Sequence, residues 1–569
     1  MKFALIVFAS VVVLGQQQNV GRPAKAPGSA DGAKVEQRAQ GEGPTPEIAA
    51  SFDGLGAGFA GPHGTSTGRN PSDNSLAVGP NHIVQTVNSK FAVFTKKGAK
   101  FDSTGRVLYG AVNTNTLFAG FGGTCEARNN GDAVVRYDQL ANRWLFVMPI
   151  FRRAAARPDQ PAVPKPGGPA LVSTPGVASQ PGRAFKLITP PAGAEPPPQA
   201  SGAPPASAAG AGRATGTPTP QPTGPYSICY AISTTDDPTG EYYRYEFLRP
   251  LFPDYPRPAV WPDGYYVPTS TGDEVIEKHA CVVDRAKMLK GEPATEQCLI
   301  IGDVNFLNNA DLDGTRLPPS RAPNVMLATG GTQLRGDIDD DGIYVWNFTV
   351  DWADPSKTKL SPVQKIAVAP YTYLCGGQLT NCVPQSGTER RLDAQGDKLM
   401  ARVVYRRVTE GRTSYESVVA VHSVDTEAAG GGVRWYEFRV NPDRSLRLFQ
   451  QGTYAPDANY RWMASPAIDK AGNIGIGYSF GGSSTFAGQR FVGRRPSDPP
   501  GQLTLREATL VEGEAVQTIQ RWQDYTQTAV DPSDDCTIWY VGDYFKTGQT
   551  TYSTRIGAFR MAGCGAGVL

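Results

Sequence analysis

The chain has 569 residues, and Gly (64) and Pro (48) together make up about a fifth of it, against roughly 12% in a typical globular chain. A formal net charge of +2 with 19% charged residues leaves no basic footprint for nucleic acid and no acidic tail. A hydrophobic fraction of 40% is enough for a core, so a wholly disordered chain is excluded.

Lys2 precedes an apolar run, FALIVFASVVVL (3–14), and Gly15 follows. This is the pattern of a signal peptide over 1–15, too short for a membrane span of ~20 residues. No later segment is apolar for ~18 residues, so the mature chain is predicted to be soluble, without a membrane span, and secreted or periplasmic. Residues 16–60 are rich in Gly, Ala, Gln and Pro and read as a disordered leader. A single domain is expected over 61–569, interrupted by a Pro/Ala/Gly-rich segment at 152–225. Strand-like runs flank that segment at 144–151 and 226–232. It therefore reads as a long loop inserted in one structural unit rather than a linker.

Eight cysteines in an exported chain imply disulfides. Cys375 and Cys382 close the short loop CGGQLTNC. Cys281 with Cys298 and Cys536 with Cys564 are the other pairs expected. There is no C-x-x-C, and His63, His82, His279 and His422 form no ligand pattern.

The rest of the chain is short β-runs separated by turn residues. Self-similar segments begin with SLAVGPNHIVQTVN (75–88), AVVRYDQLANRWLFV (133–147) and RPAVWPDGYYVPTS (257–270). They continue with APNVMLATGG (322–331), RLDAQGDKLMARVVY (391–405), SPAIDKAGNIGIGYS (465–479) and QTAVDPSDDCTIWYV (527–541). Most run from Ala and Val or Ile through a turn into an alternating strand. Their spacing, once the insertion is removed, fits four-stranded units. The prediction is an all-β chain, a single monomeric β-propeller of seven blades. Six blades result if the 322 unit is an insertion, and a tandem of β-sandwiches is the remaining alternative.

In such a fold the residues entering each inner strand converge at one end of a central channel. That reading selects Asp73, Asn74, Asp132, Tyr255, Arg391, Arg461 and Trp462 as ligand-binding residues. Asp254, Asp524 and Tyr525 are the catalytic candidates, because paired carboxylates can do acid/base work on a glycosidic or ester bond. The competing reading is an Asp/Arg lattice that locks blades together. No cofactor is required. Calcium is the one cation considered, at Asp337, Asp339 and Asp341 in a D-x-D-x-D-G run, with a similar N-x-D-x-D-G at 309–314. Neither has the acid at position 12 of an EF-hand. Residues 233–240, STTDDPTG, form a degenerate Asp-box-like turn.

The segments DYPRPAVWPDGYY (254–266), YLCGGQLTNCVPQSGT (373–388), QQGTYAPDANYRWMASPAIDKAGNIGIGYS (450–479) and RWQDYTQTAVDPSDDCTIWYVGDYF (521–545) carry a family resemblance. They resemble a group of large secreted, mostly bacterial, propeller-like proteins with no assigned reaction. The resemblance covers most of 70–569 and implies fold and export, not chemistry. The group's W-G-D-Y stands here as Trp522-Gln523-Asp524-Tyr525, which places a glutamine where a glycine is expected. Sialidase-like propellers are more distantly similar, and Arg391, Arg461 and Arg494 fit their arginine triad only loosely.

The functional expectation is an exported binding or scaffold protein that recognises carbohydrate or another surface polymer, with no nucleic-acid partner. The alternative is a glycoside hydrolase or lyase at the same residues. A calcium-dependent adhesion module is the third reading.

Overall fold

The computed structural model describes residues 32, 34–151, 172–175, 177–178, 184–187, 226–249, 252–271, 278–301, 306–330, 341–377 and 381–565. The expected signal segment, and Asp337 and Asp339, lie outside the described residues. Strands dominate, and the α-helices among the described residues are the short Gly123–Ala127 and Arg285–Met288. None is long and apolar enough to cross a membrane.

The strands form antiparallel meanders. The first is Ser75–Val78, His82–Val87, Lys90–Thr95 and Val107–Asn113. The second is Val134–Asp138, Arg143–Pro149, Tyr226–Ser233 and Glu241–Arg249. The third runs from Ala259–Trp261 through Gly264–Tyr266 and Lys278–Val283 to Thr295–Ile301. Asn308–Leu312, Asn324–Thr329 and Ile343–Thr349 form the fourth, edged by Lys359–Leu360 and Gln364–Ile366. It joins the next, Val403–Glu410, Thr413–Asp425, Gly431–Val440 and Leu446–Tyr454, through a parallel pairing of 310–312 with 403–405. The last two are Tyr460–Ile468 through Ala508–Val511, and Gln527–Val530 through Ser553–Arg560. Among the described residues no sheet closes on itself.

Neighbouring sheets pack face to face, so many strands are buried on both sides. This explains runs such as Ile474–Gly482, where Gly alternates with apolar or small residues. A Cβ at Gly477 would stand 2.4 Å from the Tyr540 ring of the next sheet. Only glycine allows that approach.

The first strands of successive sheets are joined to one another. Val135 N donates to Ser75 Oγ (3.0 Å), and Arg136 Nε to Pro258 O (2.8 Å). Val260 N donates to Asp311 Oδ1 (2.8 Å), and Arg406 Nη1 to Ile468 O (3.0 Å). Thr528 N donates to Ser465 Oγ (3.0 Å). Gln527 Nε2 donates to Leu76 O in the first sheet (2.5 Å).

Three expectations need correction. The 16–60 leader is ordered in its second half. Glu47–Asp53 is the outermost strand of the last sheet, paired with Ser553–Arg560. Ala50 and Phe52 pack against the core while their neighbours face solvent, a signal too short to stand out from the Gly/Ala/Pro background. Within 152–225, which reads as strandless, Val172–Pro175 edges the third sheet, and Val177–Ala178 and Phe185–Lys186 edge the second. The strands on either side of the segment pair directly, Leu145 opposite Ile232. In the 322 unit, Asn324–Thr329 is the second strand of its sheet. The first is Asn308–Leu312, part of the run read as an acidic loop.

Cys125–Cys229, Cys281–Cys298, Cys375–Cys382 and Cys536–Cys564 are disulfides.

Candidate functional site

Residues in or near the first strands of successive sheets share one backbone feature. Asp73, Asp132, Tyr255, Gln395, Met463 and Asp524 all have left-handed φ, between 46° and 61°. Asp tolerates this region, whereas Tyr and Met seldom adopt it. Asp73, Asp132, Tyr255 and Asp524 stand just before the strands Ser75–Val78, Val134–Asp138, Ala259–Trp261 and Gln527–Val530, so their side chains come from different sheets to one place.

Four aspartates meet there. Asp132 lies within hydrogen-bond reach of both Asp73 and Asp254, and the charge of Asp524 acts on all three. Asp73 is buried; its Oδ2 accepts from Asn88 Nδ2 (2.8 Å), while Oδ1 has no hydrogen-bond partner. Asp524 accepts from Arg521 Nη2 (2.6 Å) and Gln395 Nε2 (3.2 Å). Arg521 also reaches Asp393 (3.3 Å) and is half exposed. Arg521 is thus already engaged by two carboxylates.

Burial is the main force on these acids, and mutual repulsion adds to it. Burial, then the charges of Asp132 and Asp524, hold Asp73 and Asp254 well above the usual carboxylate range. Burial lifts Asp132 to about 6, with Asp524 adding and its contacts to Asp73 and Asp254 opposing. Asp393 is also raised to about 6 by burial, against the pull of Arg521. Asp543, bonded by Asn74, is lifted to about 8 by burial. Such a cluster can donate and accept hydrogen bonds.

An aromatic wall stands beside the acids. The Tyr255 and Tyr525 rings meet edge to face with centroids 5.1 Å apart, and Phe306 lies 5.5 Å from Tyr255. The Arg257 guanidinium covers Tyr255 at 4.1 Å.

Further along the inner strands lies a second network of opposite character. Arg402 pairs with Asp311 (2.7 Å) and Asp313, and Arg136 with Asp311 (3.4 Å). All four side chains are buried and border a cavity of about 70 Å³. Here arginines balance carboxylates. This is the Asp/Arg lattice expected of the channel residues, built from a different set of side chains. Within the 309–314 run, Asp311 and Asp313 are thus paired with Arg136 and Arg402.

The structure therefore brings together Asp73, Asp132, Asp254, Tyr255, Asp524 and Tyr525. It places others elsewhere. Asn74 is buried, donating to Ser72 Oγ (2.8 Å) and Asp543 and accepting from Gln85 Nε2 (3.2 Å). Arg391 Nη1 donates to Cys382 O (3.1 Å). Arg461 is enclosed by Asp457 (3.0 Å) and Glu507 (2.7 Å), because its side chain points back into its own sheet. Trp462 is core, 5.9 Å from Trp522. Arg494 donates to the carbonyls of Asp498, Pro499 and Gln502. Gln523 is buried, donating to Ser479 Oγ and accepting from Asp543 N (both 2.9 Å), so it braces the site from behind. Of the acidic run at 337–342, Asp341 Oδ2 accepts from Tyr371 N (2.9 Å). The 233–240 turn is structural: Asp237 Oδ1 accepts from Thr239 N and Oγ1.

Arg521, Gln395 and Asp393 are site residues that the sequence reading does not select. Gln395 occupies the same kinked position as the aspartates, and alignment on that position rather than on Ala-Val would reveal it.

No protein-family model and no curated protein sequence matches the chain. Among solved structures, a protein of unknown function from Dyadobacter fermentans is similar at 9% identity and TM-score 0.32, covering 91% of this chain and 100% of that one. A mutant of NanB sialidase from Streptococcus pneumoniae is similar at 9% identity and TM-score 0.36, with 77% and 68% covered. An exo-beta-1,3-galactanase from Clostridium thermocellum is similar at 9% identity and TM-score 0.29, with 90% and 97% covered.

Proposed function

We propose that the chain is an exported, seven-bladed β-propeller that binds a hydroxyl-rich polymer, carbohydrate in particular, at the mouth of its central channel. The blade count is supported by the sheet-to-sheet hydrogen bonds that run from Ser75 round to Gln527 and Leu76. Export is supported by the four disulfides, which persist in oxidising compartments.

The binding reading rests on one observation. Asp73, Asp132, Asp254 and Asp524, scattered from position 73 to position 524, converge beside the Tyr255–Tyr525 pair. Ionised carboxylates accept from sugar hydroxyls, and protonated ones donate to them. Aromatic faces pack the C–H faces of a sugar ring. A lattice built only to lock blades would balance its charges, as the Arg136–Asp311–Arg402–Asp313 network does. A glycan array probed with the full chain and with Asp524→Asn tests this. Binding that falls about tenfold in the variant supports the site. Binding unchanged in the variant, or absent from the wild type, sinks it.

Hydrolysis or elimination at the same groups is the second reading. One observation favours it: a carboxyl raised to about 6, Asp132, is matched to general acid/base work near neutral pH. A hydrolysis screen on the glycans that bind, repeated with Asp132→Asn, separates enzyme from binder.

A further inference from the structure

Arg257 belongs to the aromatic wall beside the four aspartates. Pro256 and Pro258 flank it and restrict its backbone, and its N donates to Pro268 O (3.3 Å). The residue is 5% exposed. Its Cζ stands 4.1 Å from the centre of the Tyr255 ring and 5.4 Å from that of Phe306. Nη1 donates to Leu399 O (2.9 Å), while Nε and Nη2 are buried and form no hydrogen bond. Tyr255 is within reach of the guanidinium, but neither of these nitrogens meets it in hydrogen-bond geometry. Among the described residues no carboxylate is bonded to Arg257.

Nε and Nη2 form the side-on edge of a guanidinium, whose two parallel N–H groups match the two oxygens of one carboxylate. This protein uses that edge in the same way elsewhere. Arg285 Nε and Nη2 donate to Asp138 (2.7 and 3.1 Å), and Arg461 Nε and Nη2 donate to Glu507 (2.7 and 3.1 Å). Lys398 is the second cation on the same rings, 4.2 Å from Phe306 and 5.2 Å from Tyr255, and it is paired with Asp397 (2.5 Å). Arg257 is the charge of the wall without such a match. A buried guanidinium left unpaired is costly, and an anion bonded to it removes the cost.

We propose that Arg257 binds, through Nε and Nη2, the carboxylate of an acidic sugar, a uronic acid residue of a polysaccharide. The proposal rests on the carbohydrate reading of the same site and names the class of sugar. The Tyr255 ring under Arg257 also meets Tyr525, and its hydroxyl bonds Asp524 O. A sugar anchored by its carboxylate at Arg257 therefore has its hydroxyls beside the acids. Burial favours the neutral form of Asp254, which weakens its repulsion of an anion. Phe306 is the part-exposed member of the wall, and so the side from which a ligand enters.

The test is calorimetry of the full-length protein with oligosaccharides of glucuronate, galacturonate and mannuronate, each beside its carboxyl-reduced, neutral form. The expected result is an acidic oligosaccharide bound about tenfold or more tighter than its neutral form. Arg257→Gln shrinks that ratio to about twofold or less, and Arg257→Lys, which keeps the charge without the side-on edge, restores only part of it. Hydrogen exchange of the wild type needs no variant. Protection gained over 255–268 with the acid and not with its neutral form supports the site, and protection only elsewhere overturns it. Acidic and neutral forms bound alike overturn the proposal and leave the carbohydrate reading standing. A preference for the acid that survives Arg257→Gln undiminished overturns it too, because the carboxylate then meets another cation. Failure of every oligosaccharide to bind, acidic or neutral, removes both readings.

Discussion

The Tyr255 hydroxyl donates a 2.9 Å hydrogen bond to the backbone carbonyl of Asp524, 269 residues further along the chain. The bond joins two of the kinked positions and holds the Tyr255 ring against Tyr525. Tyr255→Phe keeps the ring contacts and leaves that carbonyl unpaired. The expected loss is about 1 kcal/mol of stability, measured by urea unfolding. Tyr255→Ala also removes the packing and is expected to cost about 3–5 kcal/mol in all. A Tyr255→Phe protein as stable as the wild type would show that the hydroxyl bond carries no weight.

Arg461 presents the opposite case, a charged residue of the ligand reading that serves the fold. Its side chain is 0% exposed and lies between Asp457 and Glu507, while Glu507 is also held by Arg490 (3.1 Å). Removing one partner of a buried pair strands the other charge. Arg461→Met is expected to cost about 3–5 kcal/mol and to leave the glycan affinity of the folded protein unchanged. Unchanged stability with lost affinity would return Arg461 to the ligand site.

The contrast between these residues shows what the sequence carries. Asp73, Asp132, Asp254 and Asp524 were legible because each sits next to a recurring Ala-Val-type strand, and the period of the repeat places such positions together. Arg461 sits at an equivalent place in its segment, but a side chain's direction depends on the local bulge between Trp462 and Ser465, which has no sequence signature. The Arg402–Asp311–Asp313 network was hidden for another reason. Asp311 and Asp313 carry a cation-loop spacing, and only the parallel pairing of 310–312 with 403–405 brings Arg402 to them. The Glu47–Asp53 strand was masked by composition, since an edge strand needs few apolar residues.

Two of the disulfides differ widely in the loop they close. Cys125–Cys229 spans 104 residues and Cys375–Cys382 spans 7. In the chain-entropy account the longer loop restrains the unfolded state more, by about 2 kcal/mol. The double variant Cys125→Ser/Cys229→Ser is therefore expected to lose more stability than Cys375→Ser/Cys382→Ser. Parallel denaturant melts under non-reducing conditions give the comparison, and the reverse order would mean that native packing around Cys375 dominates.

His279 and His422 should set part of the acid sensitivity. Both are buried, in strands Lys278–Val283 and Thr413–Asp425. Burial, and then the charge of Arg249 (Nη1 3.4 Å from Nδ1), pulls His279 down to about 3. Burial, and then Arg434, holds His422 well below its ordinary value; its Nε2 lies 2.9 Å from the Tyr436 hydroxyl. The unfolded chain takes up a proton near pH 6.5 at each imidazole, while the folded chain does not. Below that pH the unfolded state binds more protons, so stability falls as pH falls. Each histidine contributes a loss of about 1.4 kcal/mol per pH unit, which for His279 continues toward pH 3. Acids such as Asp263 and Asp469, raised to about 6 by burial, act in the opposite sense, but they are common to wild type and variants. His279→Gln and His422→Gln should each flatten the slope of unfolding free energy between pH 6.5 and 4 by about one proton. Urea unfolding across that range measures it, and slopes equal to the wild type in both variants would mean that the folded protein protonates these rings.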